Sequence, residues 1–344
     1  MLKRLAVIAV SLWLAASARA EKNKLNIFIW SEYMDPKIVE QFEKDNDCKV
    51  TIDLYEDNES MMAKLQGGGT ALYDLVVPSD YIIPALIKNN LLAPLRKENV
   101  TNLKNIDPKF LGREYDPGNK YTTPYLWGTV GIYVRKKPGE TIDETWGLLF
   151  DAKKSAGSFL LIDDARACIG AALKYKGYSL NTTDKKQMKE ARDVLIEAKK
   201  RSIGFEGGVG IKNKVLANVS KLGMVYNGDA VRGMKDDLDT YYFVPREGTE
   251  IWLDNMAVPA KAPHRDMGEK FINYILDARI GAQLANYIRY PTPNAAAREL
   301  VNAADLKNTA IYPSEEQMKV LEFVKDLGAK TGWYDELWTS IKSK

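Results

Sequence analysis

Cysteine and histidine are almost missing from this sequence. Its 344 residues include two cysteines, Cys48 and Cys168, and a single histidine, His264. Two thiols make no disulfide framework. With so few nitrogen and sulfur ligands, a zinc or copper centre lacks its donors. Neither a Ser-His-Asp set nor a Cys-His pair is laid out by motif. His264 follows Pro263 at an expected helix start and reads as a capping or surface residue. No D-x-D-x-D loop is present for calcium. The run Gly67-Gly68-Gly69 lacks the Lys-Ser/Thr of a phosphate loop and follows a helix rather than a strand. Repeats and low-complexity tracts are absent, and no metal or other cofactor is called for.

An excess of charge of one sign is missing too, once the start of the chain is set aside. Lys and Arg number 49 and Asp and Glu 46. Residues 1–20 hold Lys3, Arg4 and Arg19 and no acids, so removing those three leaves 46 bases against 46 acids. A balanced chain gives no argument for nucleic-acid binding. The first 20 residues combine a basic start, an apolar run from Leu5 to Leu14 and the small-x-small tripeptide Ala18-Arg19-Ala20. They predict a secretory signal cleaved after Ala20; a retained N-terminal anchor is the alternative. No Cys follows at once to carry a lipid. Taking 20 from 344 leaves 324 residues, enough for two domains with their own cores.

What is present is a recurring pair, a carboxylate beside an aromatic ring. Glu250 to Pro259 (EIWLDNMAVP) reads as a strand. Residues two apart share a face, so Trp252 and Asp254 point the same way. One reading is a half-buried Trp near a solvated Asp; the other is half of a cation site. Further strands are expected over Leu25–Trp30, Val50–Leu54, Asp74–Pro78, Tyr121–Val134, Ser158–Ile162, Leu222–Tyr226 and Tyr241–Val244. Helical patterns lie between most of them, with starts at Pro36, Asn58 and Asp184. This alternation predicts an α/β fold with mostly parallel sheets, whose strand ends face the ligand crevice. Several strands exit into acids: Glu32, Asp164, Asp229 and Asp254, with Asp80 a further candidate. Trp30, Tyr33, Tyr81, Trp127, Tyr226, Trp252 and Tyr290 lie near them in sequence or in the expected plan. Any one pair is ordinary; several at one edge of a fold suit a flexible organic polycation. Its ammonium groups need carboxylates, and its methylenes need flat apolar walls.

Six segments carry a resemblance to a known family. They are Ile29-Trp30-Ser31-Glu32-Tyr33, Tyr73-Asp74-Leu75-Val76-Val77-Pro78-Ser79, Pro124-Tyr125-Leu126-Trp127-Gly128, Asp163-Asp164-Ala165-Arg166, Trp252-Leu253-Asp254 and Tyr290-Pro291-Thr292-Pro293-Asn294. In this order they resemble the periplasmic spermidine/putrescine-binding proteins, the soluble receptors of polyamine ABC importers. The resemblance implies a two-lobed periplasmic-binding-protein fold of type II that closes on a ligand cleft. Lobe one would hold 21–129 and 253–303, and lobe two 130–252 and 304–344. Cys48 and Cys168 would then lie in different lobes, where a bridge would oppose hinge motion. The cleft would be lined by Trp30, Ser31, Glu32, Tyr33, Ser79 and Tyr81 from lobe one. Asp164 and Tyr226 would come from lobe two, with Trp252, Asp254 and Tyr290 completing the box and Trp127 and Asp229 as further candidates. The implied partners are a polyamine and an inner-membrane ABC permease. Three departures are visible. The family's Glu three residues after the acid at 164 is Ala167, its Trp before Asn-Gly is Tyr226 with Asp229 following, and a late polar position falls at Val324.

The expected function is therefore an extracytoplasmic polyamine receptor and not an enzyme. A polyamine sensor acting on a membrane signalling receptor would use the same site. A hydrolase working through Asp163/Asp164 or Asp229, and a ferric-iron receptor hinted at by Tyr241-Tyr242, are the remaining alternatives.

Overall fold

Two long antiparallel strands set the architecture. A computed structural model describes residues 23–344; the expected export signal over 1–20 lies outside the described residues. In chain order the elements are β1 (Lys24–Trp30), α1 (Pro36–Asn46), β2 (Lys49–Tyr55), α2 (Asn58–Gln66), β3 (Leu75–Val76), α3 (Ile83–Lys88) and β4 (Thr122–Arg135). Then come α4 (Gly147–Phe150), β5 (Phe159–Ile162), α5 (Ala165–Tyr175), α6 (Lys185–Arg201), β6 (Gly204–Glu206), α7 (Gly208–Leu216), β7 (Leu222–Tyr226), α8 (Asn227–Asp236) and β8 (Thr240–Phe243). The chain closes with β9 (Glu250–Ala257), α9 (Arg265–Ile275), α10 (Ala278–Ile288), three one-turn helices, β10 (Glu322–Phe323) and a last helix over Thr331–Ser343.

The strand order is β2-β1-β3-β9-β4-β7-β5-β6, with β10 on β9 and β8 on β4. Pairing is parallel for β1 with β2 and β3, and for β5 with β6 and β7. The expected parallel pairing thus holds in the outer part of each lobe. At the centre, β4 runs antiparallel to β9 through residues 122–129, then antiparallel to β7 and β8 through residues 130–135. Direction is not written into a buried apolar run such as Tyr125 to Val134, so only the structure shows it.

β4 is the hand-over between two hydrophobic cores. One packs Val130, Tyr133, Trp146, Phe159, Ile169 and Tyr242, and reaches Tyr334 and Ile341 near the C-terminus. The other packs Leu25, Ile27, Phe42, Leu126, Leu253 and Phe271. Trp146 is fully buried and donates its indole N–H to the Gly248 carbonyl at 2.8 Å, so the ring's polar atom is satisfied. Each such large apolar side chain adds roughly 1.5–3 kcal/mol on burial. Cys168 belongs to the first core and Cys48 packs against the second, and both thiols are free. No helix among the described residues is long and apolar enough to cross a membrane.

Candidate functional site

β9 supplies the floor of the site through its two-residue period. Glu250, Trp252 and Asp254 all line one cavity, which lies between the two cores. The Trp252 ring fits there because its partner across the ladder is Gly128. A Cβ at Gly128 would lie 2.4 Å from Trp252 Cζ2 and 2.4 Å from Asn227 Oδ1. The residue is fixed as glycine by this close approach. Asn227 ties the same point to both sides: its Oδ1 accepts from Thr129 N at 3.2 Å and its Nδ2 donates to Ala310 O at 3.0 Å.

Asp254 is 5% exposed and accepts a 2.6 Å hydrogen bond from Ser79 Oγ. Burial pushes its carboxyl up to about 7, against the opposing pull of Ser79 and Tyr33. Tyr33 is buried facing it, and burial together with the Asp254 charge drives that hydroxyl well above its ordinary range. Asp164, at the end of β5, caps α5 by accepting from Ala167 N at 2.8 Å, and Tyr226 Oη donates to it at 3.2 Å. Burial raises the Asp164 carboxyl too. Glu250 is raised well above the usual carboxylate range, first by burial and then by the Asp164 charge.

Rings close the remaining sides. Trp252 stands edge-on to Tyr226 and to Tyr290, with centroids 6.0 and 5.3 Å apart. Tyr290 in turn meets Tyr33 edge-on at 5.4 Å. Trp30 is fixed by an indole hydrogen bond to Val77 O at 2.9 Å, and Tyr81 by Asn58 at 3.1 Å. Gly228 lets the Tyr290 ring lie on the start of α8; a Cβ there would be 2.5 Å from the ring. The buried Trp252 Nε1–H has no hydrogen-bond partner among the described residues. The cavity measures about 80 Å³ shared among 21 lining residues, a narrow slot rather than a broad bowl.

Of the residues expected from sequence, Trp30, Ser31, Tyr33, Ser79, Tyr81, Asp164, Tyr226, Asp229, Trp252, Asp254 and Tyr290 line this one cavity. Two do not. Trp127 sits one residue from Gly128, opposite Leu253, so the pleat turns it to the other face, where it packs against Phe110 and Tyr312. Glu32 takes a left-handed backbone, φ 49°, and its carboxylate turns to two cations carried by α7 and α8. Lys212 Nζ and Arg232 Nη2 each reach Glu32 Oε2 at 3.0 Å. Burial alone would raise Glu32, but these two cations outweigh it and hold the carboxyl below its usual range.

Sequence reasoning missed Glu250, Asn58, Glu56 and Arg166 as lining residues. Glu250 had a usable signal, because it lies two residues before Trp252 on the same strand face. Among the described residues, Arg166 is the one cation in the lining and is already engaged. Its guanidinium donates to Lys325 O and Asn181 Oδ1, at 3.1 and 3.0 Å, and lies over the Tyr81 and Tyr334 rings.

A slot between two lobes, walled by acids and rings and laid over antiparallel linking strands, is the arrangement of a solute-capturing protein. Residues 37–314 match the family model of the bacterial extracellular solute-binding proteins, and the chain belongs to that family. Its members bind solutes and are not enzymes. Among individual proteins, the chain is 35% identical to the spermidine/putrescine-binding periplasmic protein of Escherichia coli over 98% of its own length and 97% of the relative's. It is 31% identical to the putrescine/cadaverine-binding protein of Pseudomonas aeruginosa, covering 99% of each. The crystal structure of the spermidine/putrescine ABC transporter substrate-binding protein PotD from Streptococcus pneumoniae superposes with a TM-score of 0.78 at 33% identity, covering 93% of this chain and 99% of that one.

Proposed function

We propose that this protein captures a polyamine in the interlobe slot and delivers it to the permease of an ABC importer. The observation that carries the reading is the convergence of Asp254, Asp164, Trp30, Trp252, Tyr226 and Tyr290 on one cavity. Asp254 and Asp164 take ammonium groups, and the indoles flank the carbon chain. Cation–π contacts add about 0.5–2 kcal/mol each. The names of the relatives in two genera support the same ligand class. Delivery from outside the cytoplasm, after removal of residues 1–20, fits the family and the sequence of the start. The lobes are assigned as 21–129 with 253–303, and 130–252 with 304–344, in keeping with the two cores.

Hinge closure expels water, which strengthens each ion pair. Thermal-shift screening against putrescine, spermidine, spermine, lysine and arginine tests the proposal. A polyamine at large excess over its Kd is expected to stabilise the protein by a few kcal/mol. No shift with any of the three polyamines overturns it.

A further inference from the structure

The slot holds more carboxylates than it offers to a ligand. Six line it: Glu56, Asp163, Asp164, Asp229, Glu250 and Asp254. Asp163 is held by Lys342 Nζ at 2.7 Å, and Glu56 is an exposed rim residue that accepts from Ser31. Glu250 is 6% exposed in the floor, close enough to Arg166 and Asp164 to feel both charges. Asp229 is 5% exposed and accepts from Arg232 Nη2 at 2.5 Å. The same guanidinium reaches Glu32, as does Lys212. Both cations are largely buried, with side chains 17% and 8% exposed. They rise from α8 and α7, on the lobe opposite Glu32. Arg232 is pinned in place by a further bond to Ile288 O at 2.8 Å. At this end of the slot the protein's own cations stand behind the lining and are paired with Asp229 and with Glu32 beside it.

We infer that Lys212 and Arg232 are specificity-determining residues: by neutralising Glu32 and Asp229 they close the Asp229 end of the slot to a third ammonium, leave the interior acids Asp164, Glu250 and Asp254 to the ligand, and so select a diamine over a triamine. This rests on the polyamine reading above. A third ammonium entering the Asp229 end would meet two fixed positive charges, and like charges brought together in a desolvated site cost several kcal/mol. A diamine held by the interior carboxylates leaves the internal pairs undisturbed. Lys212 and Arg232 also join the lobes, so removing them shifts the open–closed balance. That shift multiplies the affinity of every amine by the same factor. The ratio of triamine to diamine affinity cancels it and reports the counter-ion effect alone.

Calorimetry with putrescine and spermidine on the full chain tests this. The wild-type protein is expected to bind putrescine at least tenfold more tightly. In Lys212→Met/Arg232→Gln, Glu32 and Asp229 become free for a third ammonium, and the spermidine-to-putrescine affinity ratio is expected to rise at least tenfold. Glu32→Gln has the opposite sign: it leaves the two cations under-compensated, and the ratio is expected to fall. This variant also serves if the double substitution fails to fold. Tighter binding of spermidine by the wild type, or a ratio unmoved in variants that still bind amine, overturns the inference. Absence of any amine binding by the wild type instead overturns the functional reading on which it rests.

Discussion

Asp254 makes polyamine affinity a function of pH, and the sign is fixed by its surroundings. In the free protein burial lifts this carboxyl from 3.8 to about 7. That difference corresponds to about 4 kcal/mol between charged and neutral forms as an upper bound. Because the folded value lies above the unfolded one, the contribution of this group to stability is full below pH 3.8. It is lost as pH rises through about 7. A bound ammonium reverses the preference, since it pairs with the anion. Below pH 7 the ligand must therefore displace a proton. Affinity is expected to fall about tenfold per pH unit, reaching roughly a hundredfold loss at pH 5 for this one group. Burial raises the Asp164 carboxyl in the same direction. The assay is titration calorimetry with putrescine from pH 5 to 8.5, in buffers of different ionisation enthalpy, so that released protons are counted. Thermal unfolding over the same range gives the second readout: the ligand-free protein loses stability from pH 4 to 7, and the complex loses less. Affinity that is flat between pH 5 and 8, with no proton released on binding, would refute the reasoning.

Asp254→Asn is expected to weaken amine binding by a hundredfold or more, about 3 kcal/mol, and to remove most of the pH slope. Asp80→Asn, which alters a buried residue outside the slot lining, is expected to cost less than tenfold; equal losses in calorimetry would dismiss Asp254 as an anchor. Gly128→Ala forces a methyl against the Trp252 ring and Asn227, and is expected to destabilise the fold by about 1–3 kcal/mol, seen as a lower urea midpoint with m unchanged. Cys48 and Cys168 are expected to remain unbridged; two free thiols per unfolded chain, counted by alkylation and mass spectrometry without reductant, would show it.

The parts of the site that were legible in sequence are those set by local period. Trp252 and Asp254 share a face because β9 is a strand, and strand character was plain in EIWLDNMAVP. The same rule reaches Glu250. Asp164 was legible because it stands at the exit of the strand expected over Ser158–Ile162, where an α/β sheet faces its ligand crevice. What stayed hidden depends on partners far away in the chain. Glu32 meets Lys212 and Arg232 across separations of 180 and 200 residues, and no local pattern announces such a pairing. Trp127 was misplaced by a single step of register, since Gly128 rather than its neighbour opposes Trp252. The antiparallel centre of the sheet was unreadable for a related reason: burial on both faces erases the alternation that would show which way a strand faces.

The continuity of β4 has a consequence for dissection of the molecule. Its 14 residues form ladder contacts with β9 at one end and with β7 and β8 at the other. A cut at its midpoint would strip a paired strand from each side and leave raw backbone edges on both fragments. The halves therefore do not amount to separable folding units, and neither is suited to expression alone. Splitting the gene for fragment complementation belongs instead at the solvent-facing turns, such as the one around Gly139, where φ is +79° and an added Cβ would meet nothing.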